Sequence, residues 1–154
     1  MRVLLLAAIP ALAAGAAPAF TVVAADGAGC LAVNMSEGAG EDGAGRNVVT
    51  SRGCDASDLW DYDGAVVSVS FAEVTACLDV DFGEPSGAGY NVMLWPDCHG
   101  GANQSWSWDD DEISVYVNDQ AWCLTPDPGE RIGDGLNVIA APCRGGRDQV
   151  WSTD

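Results

Sequence analysis

Six cysteines are the residues of this chain whose type and spacing say most about its chemistry. None of them forms a Cys-x-x-Cys pair, the spacing of thiol redox sites and zinc ribbons. The single histidine, His99, does not suffice for a histidine-based metal site or for a nucleophile–base set. An even set of six cysteines therefore favours three disulfides in an exported protein, although fifteen connectivities are possible.

Carboxylates are abundant, but their pattern indicates an acidic, solvent-exposed surface and not a catalytic site. The chain has 23 acidic and six basic residues, for a net charge of −17. The acidic run 109–112 lacks the spacing of a calcium-binding loop and is interpreted as a solvated turn. Such a charge repels nucleic-acid phosphates and anionic lipid headgroups, which makes nucleic acids and membranes poor partners. We predict no catalytic residues, no metal site and no cofactor.

The first 19 residues have the features of a secretory signal peptide. Met1 and Arg2 form a short basic start, and an apolar run follows over 3–12 before a stretch of small residues. The run is too short to cross a bilayer. We predict removal of 1–19, a mature domain over 20–154, and a secreted or periplasmic location.

The cysteines and tryptophans recur with a period of about 46 residues, which is typical of internal repeats. Cys-Leu opens each repeat, Gly-x-Asn-Val lies in its middle, and a tryptophan closes it. The opening cysteines are Cys30, Cys77 and Cys123, and the closing tryptophans are Trp60, Trp106 and Trp151. The repeats cover approximately 27–70, 71–118 and 119–154.

Within each repeat the apolar runs are short and separated by glycine, proline, aspartate and asparagine, which predicts an all-β protein. The two cysteines of one repeat lie 20 to 24 residues apart, and we expect them to pair with each other. The closing tryptophans should form a threefold core. The expected disulfides are Cys30–Cys54, Cys77–Cys98 and Cys123–Cys143.

This pattern, Cys-Leu, then Gly-x-Asn-Val, a second cysteine and x-x-Trp in each of three copies, resembles the ricin B-type lectin family over about residues 27–154. The resemblance implies a β-trefoil of twelve strands, four in each repeat, and binding of galactose-like or xylan-like carbohydrate. Only three residues follow Trp151, so the strand missing from the third repeat should come from about Phe20 to Ala25. The two ends of the domain would then lie side by side.

The resemblance also indicates which repeat could hold a sugar. A neutral sugar needs a flat aromatic face and fixed polar groups for its hydroxyls. The family places these groups at an aspartate after the first cysteine, an aromatic residue at the end of the middle strand, and an Asn-Gln pair before the closing tryptophan. The second repeat has all four: Asp79, Trp95, Asn103 and Gln104.

The other two repeats lack most of this set. The first has Ala32, Ser51 and Ser57-Asp58 at these positions, and the third keeps only Gln149, beside Thr125, Ala141 and Asp148. We therefore predict a carbohydrate-binding module with one site. The alternative is a β-trefoil that binds a protein, as an inhibitor or scaffold, without a working sugar site; the sequence does not identify such a partner.

Overall fold

The computed structural model describes residues 19–36, 45–54, 59–71 and 74–154. Most of the predicted signal peptide, together with Ser57 and Asp58, lies outside them. The described residues form twelve β-strands and two single turns of 3₁₀ helix, which confirms the all-β prediction. No helix among them has the length and apolar character that crossing a bilayer requires. The strands are β1 Val22–Ala24, β2 Cys30–Val33, β3 Val48–Ser51, β4 Trp60–Tyr62, β5 Val67–Phe71, β6 Val74–Ser86, β7 Gly89–Trp95, β8 Trp106–Asp109, β9 Glu112–Val117, β10 Gln120–Ile132, β11 Gly135–Pro142 and β12 Trp151–Thr153.

The strands repeat one pairing scheme three times, which makes the fold a β-trefoil with three lobes. Each lobe has a long hairpin, formed by β2–β3, β6–β7 or β10–β11, and a second hairpin. In the first two lobes the second hairpin is β4–β5 or β8–β9. In the third lobe β12 pairs with β1, with Ala24 opposite Trp151. The expected joining of the two ends of the domain is therefore confirmed.

The closing tryptophans explain two of the three repeated motifs. All three are buried in the core, together with the leucine of each Cys-Leu pair. Each indole N–H donates to the backbone carbonyl of that leucine at 2.8 or 2.9 Å. A buried indole needs such an acceptor, so the pairing fixes both residue types in every lobe. The pairs are Trp60–Leu31, Trp106–Leu78 and Trp151–Leu124.

The three disulfides pair within the lobes as expected. Each joins the first strand of a long hairpin to the segment that leads to the closing tryptophan. By this link the hairpin and the following segment stay adjacent, which restricts the unfolded chain as well as the native one. In the second lobe the linked segment carries Asn103 and Gln104, so the disulfide Cys77–Cys98 helps to position the predicted site.

Candidate functional site

The predicted site residues of the second lobe come from one hairpin and the loop that follows it. Asp79 lies on β6 opposite Met93 of β7, and Trp95 lies at the end of β7 opposite Cys77. Because side chains alternate along a strand, Asp79, Met93 and Trp95 share one face of the hairpin. The loop after Cys98 forms a 3₁₀ turn over Ala102–Gln104, which brings two amide side chains to that face.

Asp79 is the centre of the site. Its carboxylate accepts a hydrogen bond from Asn103 Nδ2 on one oxygen and from Gln104 Nε2 on the other, both at 2.8 Å. Only 6% of the residue is exposed. Burial raises the pKa of Asp79, while the two amide donors and nearby His99 act in the opposite direction. Each oxygen still has a lone pair free to accept another proton donor.

Gln104 lies behind Asp79 and is fully buried. Its Nε2 also donates to the Asp97 carbonyl at 3.1 Å, and its Oε1 accepts from the Gly100 N–H at 3.3 Å. All of these partners belong to the protein, so Gln104 orients the carboxylate and does not line the open cavity.

The other three predicted residues line one cavity of about 390 Å³. Asp79 and Asn103 form its polar side, and Trp95 is 41% exposed at its edge. Phe82 and Met93 add an apolar wall. The arrangement offers a carboxylate, an amide and an indole to a single small ligand, with one apolar and one polar side.

His99 also lines this cavity, although the sequence indicated neither a metal site nor a nucleophile–base set that would use it. Its Nδ1 accepts the Gly101 N–H at 2.9 Å, which assigns the proton of the neutral ring to Nε2. That Nε2 lies 3.8 Å from an Asp79 oxygen. The signal available in the sequence was position: His99 lies between Trp95 and Asn103, directly after the lobe's second cysteine.

The third lobe keeps the framework of this site without its carboxylate. Gln149 Nε2 donates to Thr125 Oγ1 at 3.1 Å, where Gln104 donates to Asp79. Asp148, at the position of Asn103, forms an ion pair with Arg144 across the loop. The corresponding cavity measures about 230 Å³.

In the first lobe the cavity measures about 280 Å³ and is lined by Ala32 and Ser51 at the Asp79 and Trp95 positions. Its other two predicted positions, Ser57 and Asp58, lie outside the described residues. In the parts of the three lobes that the structure describes, only the second cavity combines a buried carboxylate with an exposed indole.

The three repeated lobes place the protein in the class of β-trefoils, and comparison with known sequences identifies its family. The sequence model described as the ricin-type beta-trefoil lectin domain matches residues 19–151. The chain therefore belongs to the ricin-type β-trefoil lectin family. No curated protein sequence matches it.

Solved structures with the same fold include lectins and a designed protein. ThreeFoil, a designed threefold-symmetric protein, aligns over 87% of this chain and 96% of its own, with a TM-score of 0.63 and 22% identity. The β-trefoil lectin of the Vibrio vulnificus hemolysin/cytolysin, solved with N-acetyl-D-lactosamine, aligns over 87% and 91%, with a TM-score of 0.60 and 22% identity. The C-terminal half of an earthworm R-type lectin, solved with GalNAc, aligns over 89% and 98%, with a TM-score of 0.58 and 14% identity.

Proposed function

We propose that this protein is a secreted carbohydrate-binding lectin whose working site is the cavity of the second lobe. The observation that carries the proposal is that Asp79, Asn103 and the exposed ring of Trp95 line one cavity. A neutral sugar of the galactose or xylose type fits this chemistry, because it has adjacent hydroxyls and an apolar C–H face. The three disulfides support an oxidising, extracellular location.

Each side chain has a distinct part in this proposal. The Trp95 indole is a platform for the C–H face of the ring, and the free lone pairs of Asp79 accept hydroxyl protons. Asn103 already donates to Asp79 and has an amide oxygen to accept from a second hydroxyl. His99 Nε2–H is a donor on the same polar side. The protein would act by binding and not by catalysis.

One such site binds a monosaccharide weakly. A hexose has about twelve heavy atoms, and at roughly −0.3 kcal/mol per atom the dissociation constant is about 1 mM. Useful retention therefore requires a polysaccharide with repeated contacts, or several copies of the site on one assembly.

Replacing Trp95 with alanine tests the platform. We expect galactose or xylose to change the tryptophan fluorescence of the unmodified protein, and Trp95→Ala to weaken binding about tenfold through the loss of stacking. Tyr116→Ala is the matched control, since Tyr116 is an exposed aromatic residue on β9 and does not line the cavity. Both variants are titrated with the same sugars, and calorimetry measures their dissociation constants. If the unmodified protein binds no sugar on a glycan array, the proposal is overturned and the protein-binding alternative is favoured.

Sugar binding should weaken on acidification at a higher pH than an ordinary aspartate would allow. Protonation removes an acceptor from Asp79, and burial raises the pKa at which this happens. Dissociation constants measured from about pH 7 to about pH 3 should rise as the pH falls through the raised pKa of Asp79. The variants His99→Gln and Asp81→Asn each remove another titratable group beside the carboxylate, and both should keep the acidic loss. A flat profile in the unmodified protein and in both variants contradicts the assigned role of Asp79.

A further inference from the structure

A second carboxylate, that of Asp81, lines the cavity of the second lobe together with Asp79. The two residues are two positions apart on β6, so their side chains leave the same face of the strand about 6–7 Å apart. The negative charge of Asp81 acts on Asp79, where it adds to burial in raising the pKa. The cavity therefore offers two carboxylates to one small ligand, and the sugar contacts proposed so far use only that of Asp79.

In the part of the chain that the structure describes, no guanidinium group balances these two charges. Neither arginine nor lysine lines the cavity, and neither carboxylate forms an ion pair with an arginine. His99 is the basic side chain of the lining, and its neutral ring adds no positive charge. In the third lobe, by contrast, Arg144 lies in the cavity beside Asp148. The cavity of the second lobe therefore has a negative potential that favours a cationic ligand over a neutral one.

The fold itself uses only one oxygen of Asp81. Asp81 Oδ1 accepts the Gly83 N–H at 2.8 Å. The same turn is held by Asp127 in the third lobe and by Asn34 in the first, each accepting the N–H two residues further along the chain. Because Asn34 is neutral, the turn does not require a charge at this position. Among the described residues no group donates to Asp81 Oδ2, so this oxygen is available to a ligand.

The aromatic side of the cavity is compatible with a cation as well as with a sugar. Trp95 is exposed at its edge, and Phe82 contributes a second ring to the lining. The face of an aromatic ring attracts an ammonium group, and an indole does so most strongly. A sugar that carries an amine combines the C–H face, the hydroxyls and the positive charge that these groups recognise.

We propose that the cavity of the second lobe prefers hexosamines with a free, protonated amine over neutral sugars. The ring and its hydroxyls contact Trp95 and Asp79 as in the proposed function, on which this inference rests, and the ammonium group donates to the free oxygen of Asp81. Charge-assisted hydrogen bonds are roughly twice as strong as neutral ones, so we expect about a tenfold preference. N-acetylation removes the charge and should remove the preference with it.

Calorimetric titrations with galactosamine, N-acetylgalactosamine and galactose test this preference at about pH 6.5, where a sugar amine is largely protonated. Monosaccharides are used because a polymeric amine would bind to the general charge of −17. We expect galactosamine to bind about tenfold more tightly than the other two sugars. Its advantage should decline in about 0.5 M NaCl, which screens the charges, while galactose binding should not.

Asp81→Asn is the decisive variant, because an asparagine already holds the same turn in the first lobe. The dissociation constant of galactose divided by that of galactosamine should fall from about ten to about one. Asp127→Asn is the matched control: it removes one charge from the equivalent turn of the third lobe and should leave this ratio unchanged.

Equal binding of galactosamine and galactose to the unmodified protein would overturn this inference and leave the proposed function intact. The inference also fails if the ratio survives in Asp81→Asn, or if Asp127→Asn lowers it by the same factor, because the amine would then respond only to the general surface charge. If neither sugar binds, the inference and the proposed function fall together. Binding of galactosamine alone that is lost in Trp95→Ala supports the amine site and restricts the proposed function to charged sugars.

Discussion

Asp79→Asn should abolish detectable sugar binding while the protein stays at least as stable as before. A hydrogen bond from a hydroxyl to a carboxylate contributes about 1.5–3 kcal/mol, roughly a tenfold to hundredfold change in affinity. From about 1 mM, such a loss moves the dissociation constant beyond the range of a normal titration. The expected effect is therefore the largest of any single substitution in the cavity.

The stability expected of Asp79→Asn follows from the raised pKa of Asp79. The folded chain binds this proton more tightly than the unfolded chain, so the stabilisation is present at low pH and is lost as the pH rises through the raised pKa. At neutral pH the buried charge therefore opposes folding. Asparagine removes the charge and keeps an oxygen that can accept from Gln104, and rotation of the Asn103 amide lets its Oδ1 accept from the new Nδ2. The free energy of unfolding should therefore be unchanged or slightly higher.

Urea unfolding measures the stability of each variant, and a galactose or xylose titration of the same sample measures its sugar binding. Asp127→Asn is the matched control, because Asp127 is a buried aspartate of the third lobe that accepts the Gly129 N–H. It should bind sugar as the unmodified protein does. Retained binding in Asp79→Asn, or a loss of 2 kcal/mol or more in stability, contradicts the assigned role of the carboxylate.

The scaffold could be predicted from the sequence because the same local need recurs three times. A large indole must be buried and must find an acceptor, so Trp60 and its two counterparts mark each lobe at a constant interval. β12 begins at Trp151 and pairs with β1 from the start of the domain, in the place that the following strand takes in the other two lobes. A structural requirement that recurs at a regular interval is therefore visible as a repeat in a single sequence.

The candidate site was harder to predict from the sequence, because it depends on single residues that are not repeated in the other lobes. Family resemblance placed Asp79, Trp95 and Asn103 in one lobe, and these three residues line one cavity. It did not separate them from Gln104, whose spacing is the same whether the amide faces a ligand or a buried carboxylate. His99 carried no repeated signal either, because the third lobe has Arg144 there, paired with Asp148.

The Gly-x-Asn-Val motif was visible in the sequence, but the structural reason for it was not. Gly-x-Asn-Val occurs in every repeat, but its contacts join residues about 45 positions apart, across lobes. In the second and third lobes the register around the pseudo-threefold axis explains the glycine as well. A Cβ at Gly135 would overlap the backbone carbonyl of Thr50, and one at Gly89 would overlap that of Ala140. In these two lobes the motif glycine therefore reflects how closely the strands approach, whereas a Cβ at Gly45 would meet nothing within 4 Å.

Gly135→Ala should consequently be strongly destabilising, because a Cβ there would lie nearer to a backbone atom than at any other described glycine. The methyl group meets backbone and not a movable side chain, and β11 is held by pairing with β3, β7 and β10, so relief requires displacing strands of other lobes. We expect a loss of about 3 kcal/mol, at the upper end of overpacking costs. The Tm should fall by about 10 °C.

Gly53→Ala is the control for adding the same methyl group. A Cβ at Gly53 meets nothing within 4 Å, and its backbone is outside the left-handed region, so its stability should change by less than about 0.5 kcal/mol. Urea and thermal unfolding compare the two variants. If Gly135→Ala unfolds at the same urea concentration as Gly53→Ala, the three strands can separate at the axis without cost.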